Sequence, residues 1–307
     1  MSRVGIPAVH DGEHVNGMGN DHVQGPAHEL ATSDGRTLHA RALPGAPEAS
    51  TVVFEAGSAA TSSSWALVQP AVGAFAPAVV YDRSGMGRSA PDPASRTLRR
   101  MADDLGGVLD ALGDGPFVLV GHSAGGPIAR LAAADRPERI AGLVLVEPAD
   151  EASTVLFGRA FRFAERAVIR TNLLLARAGL LGWMHQRLLR DLPADARSDM
   201  VRDGFTVELV RTQAEQAKTF LDELKGFRDH PPELGDVPVT VISGARTGSG
   251  MNARTRADAT ASHAHRAAQS PAGRHVIASD SGHYVPITEP ELVAAEIERL
   301  SCPAREG

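Results

Sequence analysis

Six short apolar runs, TVVFEAG, APAVVYD, PFVLVGHS, AGLVLVEP, VPVTVISG and GRHVIASD, recur along the chain, most of them separated by segments of helical character. Apolar residues fall on both faces of each run, as they do in parallel strands covered by helices on two sides. Upstream, HELATSDGRTLHARALPG holds two short segments about Ser33-Asp34-Gly35, a hairpin signal. The expected fold is a doubly wound α/β core. Between Asp150 and Pro232 strand-like runs vanish, and FGRAFRFAERAVIRTNLLLARAGLLGWMHQRLLRDL shows helical periodicity instead. The reading is therefore an N-terminal arm (1–26), a core (27–149 and 233–307) and an inserted helical cap (150–232).

Within that cap, VIRTNLLLARAGLLGWM is interrupted by arginines and reads as an amphipathic helix, short of the roughly 18 apolar residues of a membrane span. Leu173, Leu174, Leu175, Leu180, Leu181, Trp183 and Met184 offer more apolar surface than one lid helix needs for docking. They are expected to help shape an apolar substrate pocket. No internal repeat is visible.

Composition narrows the class. The 307 residues, 43% hydrophobic and 22% charged, suit a globular protein with a substantial core, and 31 Gly with 20 Pro punctuate many turns. A formal charge of −6 without a dense basic tract makes nucleic acid an unexpected partner. The single cysteine, Cys302, excludes an intramolecular disulfide and a thiolate metal cluster, which suits a reducing, cytoplasmic setting. The first thirty residues lack the apolar core of a signal peptide. His10, His14, His22 and His28 are irregularly spaced amid Gly, Asp and Asn, which fits a flexible arm better than a metal site. No metal or other cofactor is expected.

The strongest chemical signal is Gly121-His122-Ser123-Ala124-Gly125, a G-x-S-x-G between an apolar strand and a small-residue helix. In that context a sharp turn lifts the serine hydroxyl above the sheet edge. Serine is a weak nucleophile near neutral pH and needs a base. His283, in the loop after the last strand and before the terminal helix, is placed to reach the same edge; His263, His265 and His275 read as solvated or structural. Acyl transfer also needs oxyanion donors. The candidates are the backbone N–H groups of Ala124, directly after the serine, and of Ser58, after Gly57, with Ala59 its neighbour.

Taken together and in this order, FEAGS, YDRSGMGRS, GHSAGG and SGHYVPITEPE resemble the α/β-hydrolase superfamily, over roughly residues 28 to 300 outside the cap. The resemblance implies an eight-stranded sheet and a Ser, acid and His set, with Ser123 and His283 in two of the roles. Many members carry His-Gly where this chain has Ala56-Gly57 after Glu55, so loop support by that histidine is not to be assumed. DRSGMGRS lacks the third glycine of a dinucleotide fingerprint, since Ala90 stands there; it reads as a turn beside the site.

In most of the superfamily the acid follows the seventh strand, but ARTGSGMNARTR holds no carboxylate before Asp258, fourteen residues beyond that strand. Glu147 ends the sixth strand beside that of Ser123, an arrangement that resembles certain haloalkane dehalogenases. Glu147 is therefore the expected acid, with Asp258 the alternative; the competing reading is that Glu147 caps its strand and pairs with an arginine. The expected activity is hydrolysis of a carboxylic ester, lactone or thioester of mainly apolar character through an acyl-enzyme. Cofactor-free haloperoxidase or carbon–carbon hydrolase chemistry, and ligand binding without catalysis, stay open as alternatives on the same fold.

Overall fold

A computed structural model describes residues 22–248 and 250–302. Eight strands form one sheet: β1 (Ala27–Ala31), β2 (Thr37–Leu43), β3 (Thr51–Glu55), β4 (Ala78–Tyr81), β5 (Phe117–His122), β6 (Ile140–Val146), β7 (Val239–Gly244) and β8 (Arg274–Ala278). Their order is β1-β2-β4-β3-β5-β6-β7-β8, with β2 antiparallel to both β1 and β4 and every other pairing parallel. Each of the six apolar runs supplies one of the strands β3 to β8.

Alternation along those strands shows why the runs are apolar throughout. Val53, Val79, Leu119, Leu143 and Val241 face one core, and their neighbours Val52, Val80, Val118, Val144 and Ile242 face the other. A sheet buried on both faces leaves no polar side to alternate with. The covering helices are α1 (Val68–Gly73), α2 (Leu98–Leu112) and α3 (Gly125–Asp135). Between β6 and β7 lie α4 (Arg159–Arg177), α5 (Leu181–Met184), α6 (Gln186–Leu189), α7 (Ala194–Asp203), α8 (Val207–Gln216) and α9 (Phe220–Gly226); α10 (Ala253–Ala268), α11 (Val285–Thr288) and α12 (Pro290–Ser301) complete the set. No strand interrupts the stretch from α4 to α9 among the described residues.

Of the expected N-terminal arm, residues 1–21, with His10 and His14, lie outside the described residues. Val23 donates its N–H to Asp195 Oδ2 in α7 at 2.6 Å, so the arm's last residues are tied down. Among the described residues no group of three or more His, Cys, Asp or Glu is placed to hold a metal ion. No helix there is long and apolar enough to cross a membrane.

Candidate active site

The carboxyl ends of β3, β5, β6 and β7 and the loop after β8 converge at one edge of the sheet, where open α/β folds bind ligands. Ser123, one residue beyond β5, has φ 53°, and Glu147, one residue beyond β6, has φ 48°. The left-handed region costs a non-glycine residue about 1–2 kcal/mol, and here two adjacent strands incur it at matching ends. Backbone bonds hold both turns: Ser123 N–H donates to Val146 O at 3.0 Å, Glu147 N–H to Ile242 O at 2.8 Å and Ala149 N–H to Ser123 O at 3.0 Å. The elbow also needs its glycines. A Cβ on Gly125 would lie 2.5 Å from Glu55 O, a distance no carbon tolerates.

His283 Nδ1 lies 3.3 Å from Glu147 Oε2. The other oxygen, Oε1, accepts from Gly244 N–H at 2.7 Å and from Arg256 Nη1 at 2.6 Å. Glu147 thus meets the histidine through one oxygen and pairs with an arginine through the other. Burial pushes its carboxyl up, but the His283 and Arg256 hydrogen bonds and the nearby His263 outweigh burial and hold it down at about 2. Glu147 is an anion throughout the range in which proteins work.

Arg256 owes its place to α10. Asn252 caps that helix by accepting Thr255 N–H at 3.0 Å, and one face then meets the segment after β6 residue by residue. Arg256 meets Glu147, His263 Nε2 donates to Pro148 O at 2.9 Å, and Arg266 meets Asp150 at 2.8 Å and Glu151. Asp258, off this face, accepts instead from Ser153 Oγ at 2.5 Å and from Thr154 N–H at 3.0 Å. It fastens the strand 6 loop rather than His283. His263 is buried rather than solvated: its Nδ1 sits 2.7 Å from Ser243 Oγ, which also meets His275 Nε2 at 2.8 Å.

The support missing from Ala56-Gly57 comes from the neighbouring strand. Arg83, in DRSGMGRS, forms a buried ion pair with Glu55 and donates to Ala56 O and, at 2.6 Å, to Gly57 O. Tyr81 donates its hydroxyl to the second oxygen of Glu55. A Cβ on Gly57 would stand 3.4 Å from that of Ser123 and 3.0 Å from His122 Nδ1, so this loop lies against the serine. The backbone N–H groups of Ser58 and Ala124 donate to no acceptor among the described residues. Ser58 Oγ accepts from Gln213 Nε2 of α8 at 3.3 Å. His122 Nε2 bonds His283 O at 2.9 Å; burial, then the nearby His283, lowers its pKa to about 3, so the ring is neutral and donates.

Ser123, Glu147 and His283 line one cavity of about 400 Å³, whose apolar wall includes Val155, Leu156, Phe161 and Ile169. Phe161 and Ile169 belong to α4. The leucines expected to shape the pocket are elsewhere: Leu173 and Leu175 pack within the helical segment, while Leu174, Leu180, Trp183 and Met184 face outward. An apolar stripe was legible in the sequence, but which side of it met the core was not. Arg83, Arg256, His122 and Gln213 escaped the sequence reading. The signals were present: a buried acid ending an apolar strand requires a cation, and Arg256, His263 and Arg266 share a helical face by their spacing.

Against known proteins, the profile of the alpha/beta hydrolase family matches residues 52–296. A Caulobacter vibrioides protein named "Putative carbamate hydrolase RutD" is 41% identical over 96 residues, 31% of this chain and 36% of that protein. Lipase LipV of Mycobacterium tuberculosis is 47% identical over 73 residues, 24% of this chain and 28% of its own length. The chain thus spans about a third of the length of these curated relatives. The solved structure of the epoxide hydrolase CorEH without ligand superposes with a TM-score of 0.69 at 16% identity, covering 90% of this chain and 98% of that one, which is a likeness of fold. With the family profile spanning well over half of its length on an eight-stranded sheet of this order, the chain belongs to the alpha/beta hydrolase family.

Proposed function

We propose that the protein is a serine hydrolase that cleaves a carboxylic ester of mainly apolar character through an acyl-enzyme. The observation that carries this reading is the meeting, in one cavity, of a serine held at φ 53° with a histidine whose Nδ1 is engaged by a buried glutamate. With Nδ1–H donated to Glu147, the remaining nitrogen, Nε2, is the one free to take the Ser123 proton as Oγ attacks the acyl carbon. The carbonyl oxygen becomes an oxyanion, received by the N–H groups of Ser58 and Ala124. The imidazolium passes its proton to the departing alcohol, and water, activated by the same ring, releases the acid. The helical segment 150–232 covers the site as a cap, and Phe161 and Ile169 give the cavity its apolar side. A carbamate shares this acyl chemistry, and a relative bears that name.

The test is a panel of p-nitrophenyl esters of increasing chain length, with lactones and an aryl carbamate added, combined with fluorophosphonate labelling and peptide mapping. Turnover of esters and a single label on Ser123 are expected. An inert protein that takes no label would be a ligand-binding member of the family, and turnover without a label would remove the serine from the mechanism.

Arg256 tunes this site. Its charge, 2.6 Å from Glu147 Oε1 and buried with it, offsets part of the field with which the glutamate favours the imidazolium. Arg256→Gln is therefore expected to move the acid limb of the kcat/KM–pH profile to higher pH, with Arg256→Lys closer to wild type. A profile that loses amplitude without moving would reduce Arg256 to packing.

A further inference from the structure

One stripe of α4 is exposed, with Arg166 and Arg170 at the edge of a cleft shared with Ala214, Ala217 and Lys218. Phe163, Arg166, Arg170, Leu174 and Arg177 recur at three- and four-residue spacing, so they lie along one side of a helix about 28 Å long. Phe163 is 76% exposed and Leu174 65%. Leu180, just before the next short helix, and Trp183 and Met184 within it are exposed as well, Trp183 at 68%. The opposite side of α4 carries Phe161 and Ile169 toward the cavity, so the exposed stripe is not the side that packs.

The charge on this stripe is as unusual as its apolarity. Residues 155–190 hold seven arginines and one acid, Glu165, a balance of +6 in a chain whose formal net charge is −6. Around the core, arginines such as Arg36, Arg83, Arg96, Arg130 and Arg266 are paired with carboxylates. On the stripe, Arg166, Arg170 and Arg177 are exposed and form no ion pair or hydrogen bond among the described residues; only Arg162, to one side, is paired, with Asp222. Exposed Phe, Leu and Trp side chains flanked by unpaired arginines suit a boundary where an apolar phase meets anionic groups. Tryptophan favours that depth, and arginine reaches from an apolar surface to the charge above it.

We propose that this face of α4 and α5 docks on an anionic lipid surface, with Phe163, Leu174, Leu180, Trp183 and Met184 entering the headgroup–acyl boundary and Arg166, Arg170 and Arg177 on lipid phosphates. A second copy of the chain fits worse, because a two-fold contact would set the arginine stripe against itself. The negative balance of the remaining residues opposes approach of the rest of the molecule to an anionic surface and so favours docking by this segment. Taken with the proposed hydrolase reading, docking puts the two sides of one helix to use: the outer touches lipid while the inner walls the cavity. An apolar ester dissolved in the bilayer would then have a short path to Ser123.

The full chain is to be sedimented with vesicles of phosphatidylcholine alone and of phosphatidylcholine with phosphatidylglycerol, at low and high salt, a measurement independent of catalysis. Binding to the anionic vesicles, weakened by salt, is expected. The triple variant R166Q/R170Q/R177Q should lower the partition coefficient by about a hundredfold, at roughly fivefold per arginine. L174S/W183S should lower it by at least about tenfold. Circular dichroism checks that both variants fold, and the arginine variant, altering only exposed heads, carries the test should the other misfold. Both are expected to keep wild-type turnover of a short soluble ester. No binding to anionic vesicles at low salt, or equal binding by both variants, would overturn the proposal. So would a wild-type dimer in sedimentation velocity that L174S/W183S makes monomeric, which would assign the face to self-association.

Discussion

Ser123→Ala is expected to abolish ester turnover, with kcat falling by up to about 10⁶-fold, and to leave the fold intact. The magnitude follows from the roles proposed for the residue. Without Oγ there is no acyl-enzyme, and the residual rate comes from binding and the oxyanion donors acting on attack by water, about 10³–10⁴ over the uncatalysed reaction. The fold should not notice. Ser123 is half-buried at the cavity, and its hydroxyl makes no hydrogen bond that holds the elbow together. The bonds that do so are those of its backbone N–H to Val146 and of its carbonyl with Gly126 and Ala149 N–H, which alanine keeps. The left-handed φ of 53° suits alanine no worse than serine. The melting temperature should therefore stay within about 2 °C of wild type. The measurement is steady-state turnover on the best ester of the panel, beside thermal unfolding and fluorophosphonate labelling. Activity above about a hundredth of wild type in a folded, unlabelled variant would show that another group attacks the substrate.

How far the site could be read from the chain depended on how local each signal is. The strands β3 to β8 were legible because a doubly covered sheet demands unbroken apolar runs, and the order of those runs along the chain carries Ser123, Glu147 and His283 to one edge. The elbow was legible because its glycines sit within three residues of the serine. The buried cations were not. Arg83 reaches Glu55 across 28 positions of sequence and Arg256 reaches Glu147 across 109, and nothing in the spacing of either pair announces the contact. The helical segment between β6 and β7 fell between these cases. Its helical period was plain, but period alone does not say which side of α4 meets the core, and Leu174 and Trp183, expected to line a pocket, face outward.

Glu147→Gln is expected to lower kcat by about 10²–10⁴-fold, whereas Asp258→Asn should stay within about tenfold of wild type. The geometry around Glu147 gives the reason. Oε1 accepts from two donors, Gly244 N–H and Arg256 Nη1, and neither can turn round to accept. In the glutamine variant these donors claim the amide oxygen, which leaves the amide NH₂ facing His283. The ring can meet a donor only with an unprotonated Nδ1, so its proton moves to Nε2, the nitrogen that must take the Ser123 proton. The variant would thus keep its shape while holding its base in the wrong tautomer, without the negative charge that stabilises the imidazolium. Stability should report the same charge. A carboxyl held at about 2 contributes stability that is present above the ordinary carboxylate range and is lost as the pH falls through about 2. Wild type should therefore exceed Glu147→Gln in stability at pH 7, with the gap narrowing between about pH 4.5 and 2 in denaturant titrations. Asp258 has no such standing toward His283, because its oxygens are taken by Ser153, Thr154 and Val155, and asparagine can still accept from that loop. Should Asp258→Asn prove the more damaging of the two, the acid would have to reach His283 from α10, and the strained turn at the end of β6 would be left with only a structural part.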